Sequence, residues 1–258
     1  MWKLPRSFNK VLVTAVLGVM IPSTVIASTI VNGADNGACA TVCINNRCQS
    51  SCEPTDNSHI TKGLGAITQR PFTVEQSFHS INLTGLNATI RHGKSWSINA
   101  SGYDNILNQI SLTIDSGLLS IALKPGSYEN ADTSIDIVLP QLSLLDFQGG
   151  NKVKVEGFSE TGMRINLSGS NTLKSQKNTV RHLTINAQGS NQIDWLDNNT
   201  SHFSIHAAGT NTVSIKPSKH KDSLIDGQIS GINEILLCGN PKNDVTILGL
   251  SSIKNIAC

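Results

Sequence analysis

Phe147-Gln-Gly-Gly-Asn-Lys-Val153, Leu167-Ser-Gly-Ser-Asn-Thr-Leu173, Ala187-Gln-Gly-Ser-Asn-Gln-Ile193, Ala207-Ala-Gly-Thr-Asn-Thr-Val213 and Ile229-Ser-Gly-Ile-Asn-Glu-Ile235 are five versions of one phrase, and they decide how the chain is read. Their central glycines step by 20, 20, 20 and 22 residues. A period this regular marks a stacked repeat, in which each copy covers its neighbour's apolar face. Outward from each glycine, apolar residues keep returning at every second position. Leu145, Ile165, Ile185 and Ile205 stand four before it, and Val155, Trp195, Ile215 and Leu237 stand six after it. Polar residues fill the alternate places, among them Asp146, Asn166, Asn186 and His206 three before the glycine. Alternation with period two is a strand with one dry and one wet face.

Strand, Gly-Xaa-Asn corner and second strand occupy about 13 residues, so the remainder of each repeat must turn the chain back for the next rung. The expected fold is all-β: a right-handed parallel β-helix-like solenoid with rungs spaced roughly 4.8 Å apart. The glycine permits a bend that a Cβ would obstruct. Asn151, Asn171, Asn191, Asn211 and Asn233 share parity with the apolar positions, so they are expected to point inward and stack as a ladder of amides. A surface hairpin turn is the competing reading of each Gly-Xaa-Asn. The strict period weighs against it.

The first 27 residues read as a secretory signal: Lys3, Arg6 and Lys10, then an apolar run from Val11 to Met20, then the small-residue site Val25-Ile-Ala27. Lys10 and Pro22 hold that run to a length too short for a comfortable membrane span. Removing the leader takes away three cations and no acid, so Lys+Arg falls from 20 to 17 against 18 Asp+Glu. A mature chain so close to neutral lacks the basic surface that nucleic-acid binding requires. No membrane span is expected after cleavage.

Residues 28–65 form a cysteine-rich segment and a linker, and residues 66–258 form the solenoid domain. Cys39, Cys43, Cys48 and Cys52 are spaced symmetrically about Asn45-Asn46, so a hairpin or a helical pair turning there sets Cys43 against Cys48 and Cys39 against Cys52. Zinc is the rival, but its usual knuckles are CxxC, and an exported chain meets an oxidising compartment. Cys238 and Cys258 are again 20 apart, one rung, which predicts a third disulfide at the end of the stack. Glu53 to Gly65 has the composition of a linker. From Pro71 on, Ile81, Leu83, Gly85 and Asn87, and then Trp96, Ile98, Ala100, Gly102, Asp104 and Ile106, read as irregular early rungs.

The order Phe72-Thr-Val74, Phe78-His-Ser-Ile81-Asn-Leu83, Asp115-Ser-Gly-Leu118, Ile135 to Pro140, Leu144 and the Gly-Xaa-Asn repeats resembles the head GIN domain family of autotransporter-adhesin-like proteins. The resemblance runs from about Pro71 to Leu237. It implies an exported bacterial β-helix-like protein and supplies no catalytic residues. Two features depart from the family pattern: the amino-terminal cysteines, and the lack of a lipoprotein cysteine at the cleavage point.

Solenoids do carry polysaccharide lyases and hydrolases, which need clustered carboxylates on one outer face. Here Asp146, Asp194, Asp197 and Glu234 do not align on adjacent rungs, and Asp194 with Asp197 is the nearest approach to a pair. His182 and His202 are one repeat apart and outward, so they are expected to stack, as a solvated ladder in preference to a surface metal site. No nucleotide, haem or calcium motif is present, and no cofactor is expected. The sequence therefore points to a non-enzymatic binding scaffold whose candidate surface is Asn166, Asn186, His206, His182 and His202, with a glycan or protein on a cell surface as partner. A carbohydrate-active enzyme is the alternative.

Overall fold

The computed structural model describes residues 28–34, 37–44, 47–52, 60–217, 223–239 and 241–256, with side chains from residue 60 onward. The leader, residues 1–27, lies outside the described residues. The chain divides after Ser58 into two units. In the first, β1 (Ser28–Ala34), β2 (Gly37–Ile44) and β3 (Arg47–Cys52) make an antiparallel sheet. The β2–β3 register sets the backbone of Cys39 opposite Cys52 and that of Cys43 opposite Cys48.

Among its described residues the second unit is all-β apart from one turn of helix. Its elements are β4 (Ile60–Lys62), β5 (Ile67–Phe72), β6 (Ser80–Thr84), β7 (Asn87–His92), β8 (Ser97–Tyr103), α1 (Asp104–Leu107), β9 (Ile110–Asp115) and β10 (Leu118–Leu123). They are followed by β11 (Ser127–Glu129), β12 (Ser134–Leu139), β13 (Leu144–Gly149), β14 (Lys152–Glu156), β15 (Ser159–Gly169) and β16 (Thr172–Pro217). The last are β17 (Leu224–Gly231), β18 (Glu234–Cys238), β19 (Lys242–Gly249) and β20 (Ser252–Ile256). Fifteen strands form one curled sheet, and β4 pairs with β11 in a separate ribbon. Ile60–Lys62, inside the expected linker, is thus a paired strand.

The repeat appears as parallel pairing at the sequence period. β13 pairs with β15 and β15 with β16, Leu145 lying beside Ile165 and Ile165 beside Ile185. β14 pairs with β16, β16 with β17 and β18, β17 with β19, and β18 with β20. Most inward positions along the strands are aliphatic or aromatic, and Ile81, Leu145, Ile165, Ile185, Ile205 and Ile225 are all fully buried. Burial of this kind contributes about 25 cal/mol per Å² of apolar surface, and here it is delivered one rung at a time.

The glycine column shows why the corner tolerates no side chain. Gly189 has φ +98°, a region where an L side chain is strained, and a Cβ there would be forced against the carbonyl of Gly169. Gly169 and Gly209 repeat both features.

Two sequence expectations are corrected. Trp96 to Ile106 is not an early rung: β8 runs antiparallel to both β5 and β12, and α1 occupies the place assigned to a corner. Ile106 and Leu107 are buried, and Arg70 reaches the Asp104 carboxylate at 2.7 Å, so tertiary packing overrides the local pattern. The corner at Gly85 is one residue shorter than the next, because Gly150 is extra there. Leu86, not Asn87, therefore occupies the ladder position, and Asn87 is exposed. The final step along the sheet is 18 residues, so Ile256 lies beside Cys238, which is itself disulfide-bonded. Cys258 itself lies outside the described residues.

Candidate binding surface

The five repeat asparagines are at most 3% exposed. Asn151 Nδ2 donates to Asn171 Oδ1 at 2.7 Å, Asn171 Nδ2 to Asn191 Oδ1 at 2.8 Å, Asn191 Nδ2 to Asn211 Oδ1 at 2.7 Å, and Asn211 Nδ2 to Asn233 Oδ1 at 2.8 Å. Each Nδ2 also donates to the backbone carbonyl three residues earlier, as from Asn191 to Gln188 at 3.0 Å. The Oδ1 atoms of Asn151, Asn191, Asn211 and Asn233 each also accept a backbone N–H from the preceding strand. For Asn191 the donor is the N–H of Asn171, and for Asn151 it is that of Leu86. The row ends at Ser251, whose Oγ accepts from Asn233. Amides arranged this way satisfy one another in a dry interior, where an unpaired polar group would be costly.

A second inward ladder runs along another corner. Asn178 Nδ2 donates to Asn198 Oδ1 at 2.9 Å and to Ser175 Oγ at 2.7 Å, and Asn178 Oδ1 accepts the backbone N–H of Phe158. Sequence reading missed it. The available signal was the 20-residue spacing of Asn178 and Asn198; the bend before Asn178 is made by Lys177 with φ +57°, and the one before Phe158 by Gly157 with φ +86°.

With these amides turned inward, the outer face carries a different row. Register places Asp146 between Asn82 and Asn166, Asn166 beside Asn186, and His206 beside Gln228. Asn186 Nδ2 donates to Asn166 Oδ1 at 2.8 Å, and Asn82 Nδ2 to Asp146 Oδ2 at 3.2 Å. Asn166 and Asn186 are half-buried and His206 is exposed. A shallow recess of ≈ 310 Å³ opens here, lined by Asn186, Gln188, His206, Gln228 and Ser230 with Leu248 at one end.

His182 and His202 lie on the same face, their ring centroids 5.6 Å apart and tilted by 46°. His202 Nε2 is 2.7 Å from Asp226 Oδ2, a partner the sequence reading did not assign. Among the described residues no group of three or more His, Cys, Asp or Glu is arranged to hold a metal ion. Asp194 accepts the backbone N–H of Leu196 at 3.2 Å, and no side-chain bond joins it to Asp197. The Lys154 ammonium 2.7 Å from Glu156 holds its carboxyl below the usual carboxylate range, and Gln176 adds a hydrogen bond.

A family model described as putative auto-transporter adhesin, head GIN domain, matches residues 77–255. The chain belongs to that family. The solved structures similar to this head GIN chain include a putative adhesin from Bacteroides fragilis NCTC 9343, at 16% identity and a TM-score of 0.56, covering 76% of this chain and 99% of that one. A putative lipid binding protein from Parabacteroides distasonis ATCC 8503 also matches at 16% identity, with a TM-score of 0.50 and coverage of 76% and 98%. Identities this low relate folds only. No functionally curated protein matches the chain. Among the described residues no helix is long and apolar enough to cross a membrane.

Proposed function

We propose that this head GIN domain is an exported, non-enzymatic binding scaffold of the bacterial envelope or surface, with residues 66–258 coiled as a right-handed β-solenoid. In this reading residues 1–27 are cleaved as a signal, and the amino-terminal cysteines are bridged Cys39 to Cys52 and Cys43 to Cys48. The adhesin descriptions of the family and of the similar Bacteroides fragilis structure favour binding over catalysis.

The observation that carries the reading is the division of labour between two polar rows. Asn151 to Asn233 use their hydrogen bonds inside the stack, so the row of Asn166, Asn186, His206 and Gln228 has no comparable structural duty and lies on the outer face beside a recess. A row of neutral amides and imidazole suits a hydroxyl-rich or backbone-rich partner, a glycan or a surface protein.

The test is a screen of immobilised glycans, polysaccharides and envelope proteins that records retention and cleavage together. Retention without cleavage is expected, lost in the double variant Asn186→Ala, His206→Ala with an unchanged melting temperature. Cleavage of any polymer would instead support the carbohydrate-active alternative.

A further inference from the structure

The sequence contains three tryptophans, Trp2 in the leader, Trp96 and Trp195. Trp195 is fully buried and donates its indole N–H to Thr200 Oγ1 at 3.0 Å. Trp96 is different: it is 39% exposed, yet its Nε1 donates to the Phe78 carbonyl at 2.7 Å. The indole is therefore held in one orientation with part of its surface in water. An aromatic ring fixed in advance loses little freedom when a ligand stacks on it.

Around it lies a recess of ≈ 590 Å³, against ≈ 310 Å³ beside His206. Pro71, Phe72 and Val74 furnish its apolar wall, and Gln69, Ser97 and Asn99 its polar groups. No ionisable side chain lines it. Asn99 Oδ1 is buried with no hydrogen-bond partner, as is Asp136 Oδ1 on the residue that pairs with Asn99 across β8 and β12. Two acceptors thus sit on neighbouring strands without a donor, an arrangement relieved when the Asn99 amide turns over and offers its Nδ2 to Asp136.

We propose that this recess is a binding subsite for an uncharged saccharide ring, seated with its C–H face on Trp96 and its hydroxyls on Gln69, Ser97 and Asn99. A locked aromatic plate beside amides, with no charge, matches the two chemistries of a neutral pyranose: an apolar face and a rim of donors and acceptors. An anionic ligand would meet no cation here. A peptide strand would have to extend the sheet along β5, where Pro71 lacks an N–H and blunts the edge. The subsite belongs to β5, β8 and the loops beside them, whereas the Asn166–His206 row crosses β15 and β16. It therefore stands or falls separately from that row.

The exported protein is titrated with linear neutral gluco-, manno- and galacto-oligosaccharides, and with oligogalacturonate as the anionic counterpart, while acrylamide quenching of tryptophan fluorescence is followed. Because Trp195 is buried, the readily quenched emission belongs to Trp96, an assignment that Trp96→Phe checks. The expected result is saturable protection of that component by at least one neutral series, and loss of retention by about tenfold or more in Trp96→Ala with an unchanged melting temperature. Should Trp96→Ala fail to fold, protection in the wild type and weakened protection in Asn99→Ala decide the matter. The proposal is overturned if no neutral series protects Trp96, if Trp96→Ala retains sugars as the wild type does, or if only oligogalacturonate protects. Retention lost in the Asn186, His206 double variant and kept in Trp96→Ala would leave the outer-row reading standing and this one refuted.

Discussion

Replacing Asn191 tests whether the repeat exists to satisfy the stack. Its side chain takes part in four hydrogen bonds: Nδ2 to Asn211 Oδ1 and to Gln188 O, and Oδ1 from Asn171 Nδ2 and from the Asn171 N–H. Asn191→Leu leaves the buried Asn171 N–H without its acceptor, takes a donor from the Gln188 carbonyl and halves the donors satisfied on Asn171 Nδ2. At about 1 kcal/mol or more for each buried group left without a partner, the expected loss is roughly 2–4 kcal/mol. Asn191→Asp keeps the acceptor and loses both donors, so an ionised oxygen would face Asn211 Oδ1 and Gln188 O. Burial beside two acceptors raises the carboxyl pKa in the folded state above its unfolded value near 3.9. The deficit of this variant should therefore be small below about pH 4 and grow as pH rises, to roughly 3–5 kcal/mol at neutrality. Gln192→Leu, one residue on and exposed, should shift stability by less than about 0.5 kcal/mol. Urea unfolding of the three variants from pH 3.5 to 7.5 is the assay. A wild-type midpoint in Asn191→Leu, or a pH-independent deficit in Asn191→Asp, would refute the inward ladder.

Gly189→Ala combines a left-handed backbone with a clash against the Gly169 carbonyl, whereas Gly65→Ala at φ +92° meets nothing within 4 Å. Thermal unfolding should show a loss of more than about 3 kcal/mol for the first and about 1–2 kcal/mol for the second. Asn178→Ala strips the Phe158 N–H of its acceptor in the second ladder and should cost roughly 2 kcal/mol by urea denaturation. Glu156 titrates below the usual carboxylate range in the folded state, so its contribution is present at neutral pH and is lost as pH falls through its folded value. Glu156→Gln should therefore lose less stability on acidification than the wild type, as measured by melting temperature from pH 6 to 3. Non-reducing peptide mapping of the exported chain should recover Cys39–Cys52, Cys43–Cys48 and Cys238–Cys258. A link between the amino-terminal cluster and either of the last two would refute the nested pairing.

The middle of the sheet was legible because its residues repeat. Leu145, Ile165, Ile185 and Ile205 recur at one interval, and parity alone puts Asn171 and Asn191 on their side of the strand. The margins were not, since each departs from the repeat for a local reason. Gly102 and Asp104 resemble a corner in sequence, but buried Ile106 and Leu107 and the Arg70 ion pair make that stretch a helical turn closing the sheet. Gly85-Leu-Asn87 has the repeat's letters, yet the extra Gly150 on the next rung moves Asn87 out of the ladder and Leu86 into it. The second ladder stayed hidden because Phe158 stands where a third asparagine would reveal the period.

The same reasoning separates structural from functional legibility. A residue that serves the stack must recur, because every rung faces the same packing problem, and the inward asparagines recur in five consecutive rungs. A residue that serves a ligand answers to a single object and need not recur. Of the outer row, Asn166 and Asn186 repeat by hydrogen-bonding each other, while His206 and Gln228 break the pattern where the recess opens. Trp96 occurs once, at the antiparallel margin where periodic packing has ended. In a repeat protein of this kind, positions that share the inward parity without sharing the residue type can be assigned to packing variation. Exposed positions that break the type beside a recess are the ones to test for recognition. By that criterion His206 and Trp96 come before Asn166: removing Asn166 should weaken the Asn186 pair and leave ligand retention less affected than removal of either of the other two.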